Sequence, residues 1–286
     1  MVGFLLVALR NKSNKKLLII GISLILSPIV LYFSKMKFLW LNAPAGIFAE
    51  CSKYLQVHLA GIPNGTDDAY IIKQSHSLIT DIKVNMSNVP FRYAYLFFVS
   101  RIPKVLGMML IGFVIGRSGI YKKLNDYKKQ LFWFVTIVLI VSIPANYMLA
   151  KYMENSDNYY NLKMEGWYET IVYALGVAPL AMVYAIVIAL FFQQKLIQKL
   201  LALIAPVGKM AFSNYMTHSI IGIIVFHTIG FGYMQQVGPL AWTVFAVIVF
   251  IFQIIISTIW LKYFDFGPIE WVWRSLTYGK KQKMQK

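Results

Sequence analysis

Apolar residues dominate six long runs of this chain, and shorter polar stretches separate them. A helix rises ~1.5 Å per residue, so about 20 apolar residues cross the ~30 Å hydrocarbon core of a bilayer. Each run is close to that length, which predicts six membrane-spanning helices at residues 17–33, 93–116, 131–150, 168–192, 207–229 and 240–261. The sequence therefore predicts an all-α, polytopic transmembrane helix bundle, formed by a single integral membrane domain, 1–286.

Two parts of the pattern do not match full spans. Residues 2–9 are apolar but too short to cross a bilayer, so we expect a partial helix and a chain that is N-terminally truncated. Polar residues interrupt the apolar pieces of segment 34–92, which favours interfacial helices in an extracytoplasmic segment. Inside the spans, Pro144 predicts a break in the third. The small-xxx-small spacing of Gly112 and Gly116 predicts a close helix contact.

The composition agrees with a membrane protein. The chain is 58% hydrophobic and 16% aromatic, with a mean hydropathy of +0.61, whereas soluble domains average about 45–50% apolar residues. Its net charge of +17 comes from short basic clusters between apolar runs and not from one continuous basic face, so we expect no nucleic-acid partner. The single cysteine, Cys51, cannot form an internal disulfide.

The basic clusters also predict an orientation. Loops 10–16, 117–130 and 193–209 and the tail 262–286 hold 18 Lys and Arg residues, and the alternate loops hold eight. Cytoplasmic loops are enriched in Lys and Arg, so this positive-inside pattern places the basic set in the cytoplasm. We expect a multi-pass protein of the bacterial cytoplasmic (inner) membrane with a cytoplasmic C-terminus.

Residues 264–286 predict an interfacial helix followed by a basic tail. Gly267 allows a turn and Pro268 suits a first helical position, so a helix is expected at 269–277, with Glu270 and Arg274 as a candidate i, i+4 ion pair. Trp271, Trp273 and Tyr278 are suited to headgroup depth, and the lysines that follow would face an anionic leaflet. The alternative is a solvated tail that serves only topology.

The fifth span carries the strongest candidates for chemistry, because Ser213, Asn214, Thr217 and His218 interrupt its apolar sequence. Asn214 and His218 share a helix face, and an ionisable group deep in a membrane suggests function. We therefore predict catalytic roles for His218 and Asn214 and substrate contacts for Ser213 and Thr217. The alternative is a neutral His218 that is hydrogen-bonded to Gln253, Ser257 or Asn146.

Arg101 and Lys104 are two cations near the start of the second span. They are candidates for binding the anionic headgroup of a lipid or an acyl carrier. The alternative is that both snorkel to the interface. The sequence contains no phosphate loop, dinucleotide-binding glycine pattern or nucleophile elbow, and its His and Asp spacings match no metal site. We expect no cofactor and no metal.

Two stretches carry a family resemblance: GKMAFSNYMTHSIIG in the fifth span and WLKYFDFGPIEWVWRSLTYGK near the C-terminus. They resemble the YeiB-like bacterial membrane proteins, domain-of-unknown-function family 418. The first motif matches from Gly208 to Tyr215. The matching positions of the second include Gly267, Pro268, Glu270, Trp271, Trp273, Arg274 and Tyr278.

The resemblance implies a link to transmembrane acyltransferases, which move acyl groups from cytoplasmic donors to extracytoplasmic sugars. The resemblance implies that the catalytic Arg and His lie in early helices, which we expect to be missing from this truncated chain, and that glutamine often stands in family 418 at the position of His218. Two hypotheses follow. The first is an acyltransferase-like protein that modifies an envelope glycan or lipid, with membrane lipids and an acyl donor as partners. The second is a transporter or a non-enzymatic envelope component. The oligomeric state stays open.

Overall fold

This computed structural model describes residues 2–63, 77–154, 157–227, 230–233 and 236–286. Within those ranges the regular structure is helical, apart from one isolated antiparallel bridge between Phe264 and Gln285. The predicted all-α polytopic bundle is confirmed.

The helices follow one another with short connections. In chain order they are α1 (Val2–Leu9), α2 (Asn14–Lys37), α3 (Ala43–His58), α4 (Leu78–Ser87), α5 (Val89–Phe98), α6 (Arg101–Ser118), α7 (Lys128–Met153), α8 (Met164–Phe191), α9 (Lys195–Lys209), α10 (Ala211–Phe226), α11 (Pro239–Tyr263) and α12 (Pro268–Tyr278). Single helical turns lie at Leu39–Asn42, Ile120–Lys122 and Asp157–Tyr160.

Among the described residues, four helices, α2, α7, α8 and α11, are long and apolar enough to cross a membrane, and the number reaches six if each of two bent pairs is one span. The bends measure 67° between the stretch Leu78–Phe98, which contains α4 and α5, and α6, and 74° between α9 and α10. Three expectations are wrong. The predicted second span, 93–116, is not one helix, because the chain bends between Phe98 and Arg101. α7 continues through Pro144, because in a membrane one lost hydrogen bond is less costly than exposing several backbone groups. Residues 207–209 belong to α9, so the fifth span is not one helix.

The described residues form two compact units. Unit 1 contains residues 1–55 and 88–191, and unit 2 contains residues 56–87 and 192–286. In unit 1, α2 packs against α6, α7 packs against α8, and α8 also contacts α2. In unit 2, α9 contacts α11 and α10 contacts α12. The single membrane domain, 1–286, stays a prediction.

The contact between α2 and α6 in unit 1 depends on two glycines. A Cβ atom at Gly107 of α6 would lie 2.6 Å from the carbonyl oxygen of Gly21 in α2, and one at Gly21 would lie 3.1 Å from the carbonyl oxygen of Gly107. Gly112 and Gly116 have no atom within 4 Å of the same position, so the predicted contact was assigned to the wrong part of α6. Gly112 and Gly116 have the spacing of a close helix contact, but among the described residues no neighbouring helix closely approaches these two positions.

A buried lysine closes the bend between α5 and α6. Lys35, at the end of α2, donates hydrogen bonds to the carbonyl oxygens of Phe97 at 2.7 Å and Phe98 at 2.8 Å, and to the Ser100 hydroxyl at 3.3 Å. Its three N–H groups are thereby used. Ser100 has a φ of 49°, in the left-handed region, which turns the chain into α6. A cation at the last carbonyls of α5 also complements the dipole of that helix.

The chain after α12 folds back onto the end of α11. The amide of Asp265 donates to the carbonyl of Met284, and the amide of Lys286 donates to that of Tyr263. The Nζ atom of Lys286 donates to the carbonyl of Leu261. This stretch therefore has backbone pairing and is not a fully solvated tail.

We expect Gly107→Ala to lower the free energy of unfolding by about 1–3 kcal/mol, because the added methyl group would overlap a backbone oxygen that cannot move by itself. Thermal unfolding of the purified protein in detergent measures the change. Gly112→Ala is the matched control on the same helix, since the space around it is open. Equal stability of the two variants would contradict the assigned contact.

Candidate functional site

The polar residues of the predicted fifth span lie at the beginning of α10 in unit 2. Ser213 and Asn214 are buried, whereas Thr217 and His218 are exposed. The chain bends at Met210, so the N–H groups of the first turn of α10 have no partner from a preceding turn. These N–H groups find their hydrogen-bond acceptor on another helix.

Glu270 of α12 caps α10. One of its carboxylate oxygens accepts hydrogen bonds from the amides of Phe212 at 2.7 Å and Ser213 at 3.0 Å, and the other accepts from the Ser213 hydroxyl. The Ser213 hydroxyl in turn accepts from the amide of Ile269 at 3.1 Å, in the first turn of α12. A Cβ atom at Gly267 would collide with Glu270 and Ser213, so glycine is needed for space. The two resemblance motifs therefore meet in one interlock.

The interlock changes two expectations about α12. The helix runs from Pro268 to Tyr278 with proline in its first turn, as predicted. Glu270 does not pair with Arg274, because its carboxylate is taken up by α10, and the Arg274 guanidinium instead lies 4.3 Å from the centre of the Phe266 ring. The described residues contain only two ion pairs, Lys53–Glu50 and His227–Asp81.

Electrostatics favours the ionised form of Glu270. Partial burial by itself raises the pKa of this carboxyl group, but hydrogen bonds from the Ser213 side chain and from the backbone of Ser213, Glu270 and Phe212 outweigh burial. The net effect lowers the pKa below the ordinary value of 4.5. A carboxylate at a helix N-terminus is also stabilised by the helix dipole.

The second motif also places three aromatic residues, Trp271, Trp273 and Tyr278, on α12. The indole N–H of Trp271 donates to the carbonyl of Gln282 at 2.7 Å, which helps to hold the returning chain. Trp273 contacts Phe212 edge to face, with ring centroids 6.4 Å apart. Trp273 is 64% exposed and Tyr278 is 63% exposed, as expected of side chains that meet a membrane interface.

Asn214 joins α10 to α11. Its Nδ2 atom donates to the hydroxyl of Ser257 at 3.0 Å and to the carbonyl of Val207 at 3.2 Å. Both hydrogens of the amide are then used. Neither is free to polarise an acyl carbonyl, which is the role that the sequence suggests for this residue.

His218 is also tied to α11. The Nε2 atom of Gln253 donates to the carbonyl of Asn214 at 3.0 Å and contacts Nδ1 of His218 at 3.0 Å. A carbonyl can only accept, which fixes the orientation of the Gln253 amide, so its second hydrogen points at Nδ1. Nδ1 of a neutral His218 is therefore the acceptor and Nε2 carries the proton. The hydrogen bond to Gln253 confirms one of the predicted alternatives, and Asn146 bonds elsewhere, to Ser142.

These hydrogen bonds join α10 to α9 and α11, and Nδ1 of His218 lies against the Gln253 amide. Thr217 donates to the carbonyl of Ser213 within its own helix at 2.9 Å. The predicted catalytic roles of His218 and Asn214, and the predicted substrate contacts of Ser213 and Thr217, stay predictions. Among the described residues, no group of three or more His, Cys, Asp or Glu side chains could hold a metal ion.

The second candidate site lies in unit 1, at the bend that Lys35 closes. Arg101 and Lys104, in the first turn of α6, line a cavity of about 150 Å³ together with Glu169 and Thr170 of α8. Four tyrosines complete most of its wall: Tyr95, Tyr159, Tyr160 and Tyr173. We call this space the polar cavity. Burial raises the pKa of the Tyr159 hydroxyl above its ordinary value of 10, so the group is a protonated donor at neutral pH.

An apolar groove of about 300 Å³ adjoins the polar cavity. Arg101, Lys104 and Tyr173 line both spaces, and the rest of the groove is formed by Ile25, Val105, Met108, Met109, Ala174, Val177, Ala178 and Ala181. On α8, Glu169, Tyr173, Val177 and Ala181 repeat every four residues and so share one face. This face changes from polar to apolar along the helix.

The charged groups of the polar cavity are not paired with each other. Among the described residues, neither Arg101 nor Lys104 has a nitrogen within 4.0 Å of a carboxylate oxygen, and neither side chain makes a hydrogen bond. Lys104 contacts the Tyr173 ring, with Nζ 4.1 Å from its centre. The two predicted headgroup-binding residues therefore line one site. Whether they bind a headgroup stays a prediction.

Sequence reasoning missed Glu169 and Lys35. Glu169 stands inside the predicted span 168–192, and an isolated carboxylate in an apolar run is a signal for function. Lys35 follows the predicted span 17–33, where a lysine is indistinguishable from an ordinary interfacial residue. Its three acceptors come from residues more than 60 positions later, and no local pattern reveals them.

We expect Ser213→Ala and Glu270→Ala each to lower the free energy of unfolding by about 1.5–3 kcal/mol, and the double variant to lose less than the sum, because both changes break one network. Glu165→Ala, which removes an exposed carboxylate, is the control. The contribution of Glu270 should be complete above pH 4.5 and decline as the pH falls through its lowered folded-state pKa. Thermal melts across pH 3–7 measure both effects, and additive losses would argue against the interlock.

We expect His218→Leu to lower stability by about 0.5–2 kcal/mol, because the second N–H of Gln253 loses its acceptor, whereas His218→Gln retains an acceptor and most of the stability. Thermal unfolding in detergent tests this. Acyl modification that survives His218→Gln in a full-length relative would remove the base role, since glutamine cannot accept a catalytic proton. Loss of modification without loss of stability would restore it.

Comparison with known proteins places these residues in a family. The family described as "Protein of unknown function (DUF418)" matches residues 115–280. The chain is 33% identical over 182 residues to the uncharacterized protein YeiB of Escherichia coli (strain K12). The aligned residues cover 61% of this chain and 44% of that protein. No solved structure matches it.

Two Bacillus proteins are also similar. The chain is 29% identical over 197 residues to an uncharacterized 39.9 kDa protein in the amylase 3' region of Bacillus acidopullulyticus, covering 64% of this chain and 55% of that protein. It is 24% identical over 296 positions to the uncharacterized protein YxaH of Bacillus subtilis (strain 168), covering 100% of this chain and 66% of that protein. The chain thus spans between 44% and 66% of these relatives.

The matched residues include both motifs, from Gly208 to Tyr215 and from Gly267 to Tyr278, and with them the interlock of Ser213 and Glu270. They amount to more than half of the 286 residues. The chain is a membrane protein that belongs to the YeiB-like DUF418 family, whose function is unknown.

Proposed function

We propose that this protein binds an anionic amphiphile of the membrane, a lipid or a lipid-like acyl donor, in unit 1. One observation carries the proposal: Arg101, Lys104 and Tyr173 line both the polar cavity and the apolar groove. A ligand that fills both spaces needs a charged end and an apolar end that are joined. Membrane lipids have this construction.

The dimensions and the charges support such a ligand. From Glu169 to Ala181 the face of α8 extends about 18 Å at ~1.5 Å per residue, which is close to half of a bilayer. An acyl chain in the groove would therefore reach the middle of the membrane while its headgroup stays in the polar cavity. Arg101 and Lys104 would bind a phosphate or carboxylate, since among the described residues neither has a carboxylate oxygen within 4.0 Å.

This site agrees with the first hypothesis, an acyltransferase-like protein that modifies an envelope glycan or lipid. In that reading unit 1 binds the acyl-bearing partner, and the predicted reaction is transfer of its acyl group. Support for the chemical step from Asn214 and His218 is weak, because their hydrogen-bonding groups face α9 and α11. Binding of an amphiphile is therefore better supported than transfer of its acyl group.

One observation favours the second hypothesis, a transporter. Each unit contains one sharp helix break, next to Ser100 in unit 1 and at Met210 in unit 2. Transporters often have broken helices in corresponding positions of two halves, with ions bound at the free helix ends. Here Lys35 and Glu270 occupy the helix ends at these breaks. Those ends are thus satisfied by the protein, which makes the amphiphile site the better-supported proposal.

The proposed location is the bacterial cytoplasmic membrane, with the C-terminus in the cytoplasm. The distribution of Lys and Arg between alternate loops supports this orientation. The polar cavity is lined by residues next to the loop 151–166, so the same orientation puts it at the outer side of the membrane. Its ligand would then be drawn from the outer leaflet.

We expect Arg101→Gln with Lys104→Gln to weaken the binding of an anionic phospholipid about tenfold or more, because each charge-assisted hydrogen bond contributes about 1.5–3 kcal/mol. Native mass spectrometry of the full chain with added phosphatidylglycerol measures the retained lipid. Arg92→Gln is the control, since this exposed arginine of α5 does not line the cavity. Equal retention by the double variant and the control would refute the site.

A further inference from the structure

Glu169 gives the polar cavity a feature that anion binding alone does not require. Its carboxylate lines the cavity with Arg101 and Lys104, yet among the described residues it makes no hydrogen bond and has no cation within 4.0 Å. Arg101 is exposed, but Lys104 and Glu169 are half-buried, and a charge that is partly removed from water without a direct partner is costly. Here they face one cavity from two helices and leave space between them.

The charge of the cavity limits what can fill it. With Glu169 ionised, Arg101 and Lys104 leave a net charge of +1. Lys35 is close to this site and adds a further positive charge, although its three N–H groups are bound to Phe97, Phe98 and Ser100. An anionic headgroup lowers this excess positive charge, whereas a zwitterionic headgroup would leave it unchanged.

The hydrogen-bonding groups limit the ligand further. An ionised carboxylate is only an acceptor, so the ligand group next to Glu169 must be a donor. Four tyrosines around the cavity add hydroxyl groups and aromatic faces, which suit a polyol, whereas the hydroxyl of Thr170 donates to the carbonyl of Gly166 in its own helix. A hydroxyl satisfies Glu169 without adding charge. An ammonium group would also donate, but it would cancel the negative charge of its own phosphate.

We propose that the polar cavity selects a singly charged phosphodiester lipid whose headgroup carries free hydroxyls, such as a glycerol or sugar headgroup. The phosphate contacts Arg101 and Lys104, one headgroup hydroxyl donates to Glu169, and an acyl chain follows the apolar groove. This inference rests on the proposed function and adds the class of lipid. Glu169 is a specificity-determining residue in it.

The test compares two lipids that differ only in the headgroup hydroxyls. Phosphatidylglycerol and phosphatidylpropanol have the same charge, and with matched acyl chains they differ by two hydroxyl groups. The full chain in detergent is mixed with equal amounts of both, and native mass spectrometry counts the bound forms. We expect a preference of about tenfold for phosphatidylglycerol, the value of one charge-assisted hydrogen bond.

Variants assign the preference to Glu169. Glu169→Ala should bring the ratio of the two lipids close to one, and Glu169→Gln, which keeps the shape of the side chain, should reduce it to an intermediate value. Glu165→Ala is the matched control on the same helix, outside the cavity, and should keep the full preference. Thermal melts verify that every variant is folded.

The outcomes separate the two proposals. Equal binding of both lipids by the unchanged protein, with both lost in Arg101→Gln, would overturn the hydroxyl inference and leave the proposed function standing. Binding of neither lipid in an Arg101-dependent way would overturn both. A preference for phosphatidylethanolamine over phosphatidylglycerol would contradict the charge argument, and a preference that survives Glu169→Ala would remove Glu169 from recognition.

Discussion

Backbone amides and carbonyls inside a bilayer have no water to bind, so every interruption of a spanning helix needs partners from the protein. This chain meets the requirement at both of its sharp bends with a charged side chain from another helix. Lys35 donates to the last carbonyls of α5, and Glu270 accepts from the first amides of α10. Each charge has the sign that the helix dipole favours at that end. The bends are therefore stable parts of the fold.

The bend in unit 1 also explains where the candidate site lies. Because α6 starts again immediately after Ser100, its first turn carries Arg101 and Lys104 to the polar end of α8. The three cations near this bend differ, because all the N–H donors of Lys35 make hydrogen bonds, whereas the side chains of Arg101 and Lys104 make none among the described residues. A structural cation and two unpaired ones thus lie side by side. Arg101 and Lys104 line the polar cavity.

The two motifs that carry the family resemblance are joined by hydrogen bonds in unit 2. Gly267, Glu270 and Ser213 are the parts of one interlock, in which each polar group is both needed and satisfied. Asn214 and Gln253 continue the polar contacts along α10 and α11. A satisfied network holds helices together but offers few free groups to a substrate. The polar groups of the two motifs are thus bound within the protein, whereas Glu169 makes no hydrogen bond among the described residues and lines a cavity.

The sequence by itself determined the helical class, the six apolar runs, the C-terminal helix and the family, because length, hydrophobicity and motif spacing are properties of contiguous residues. The tertiary structure decided which groups are left without partners. Gly107 and not Gly112 meets a neighbouring helix, His218 faces Gln253, and Glu169 faces an open cavity. Each outcome depends on residues that are distant in the chain. A polar residue in an apolar helix is visible in the sequence, but whether it is satisfied depends on the neighbour that packs against it.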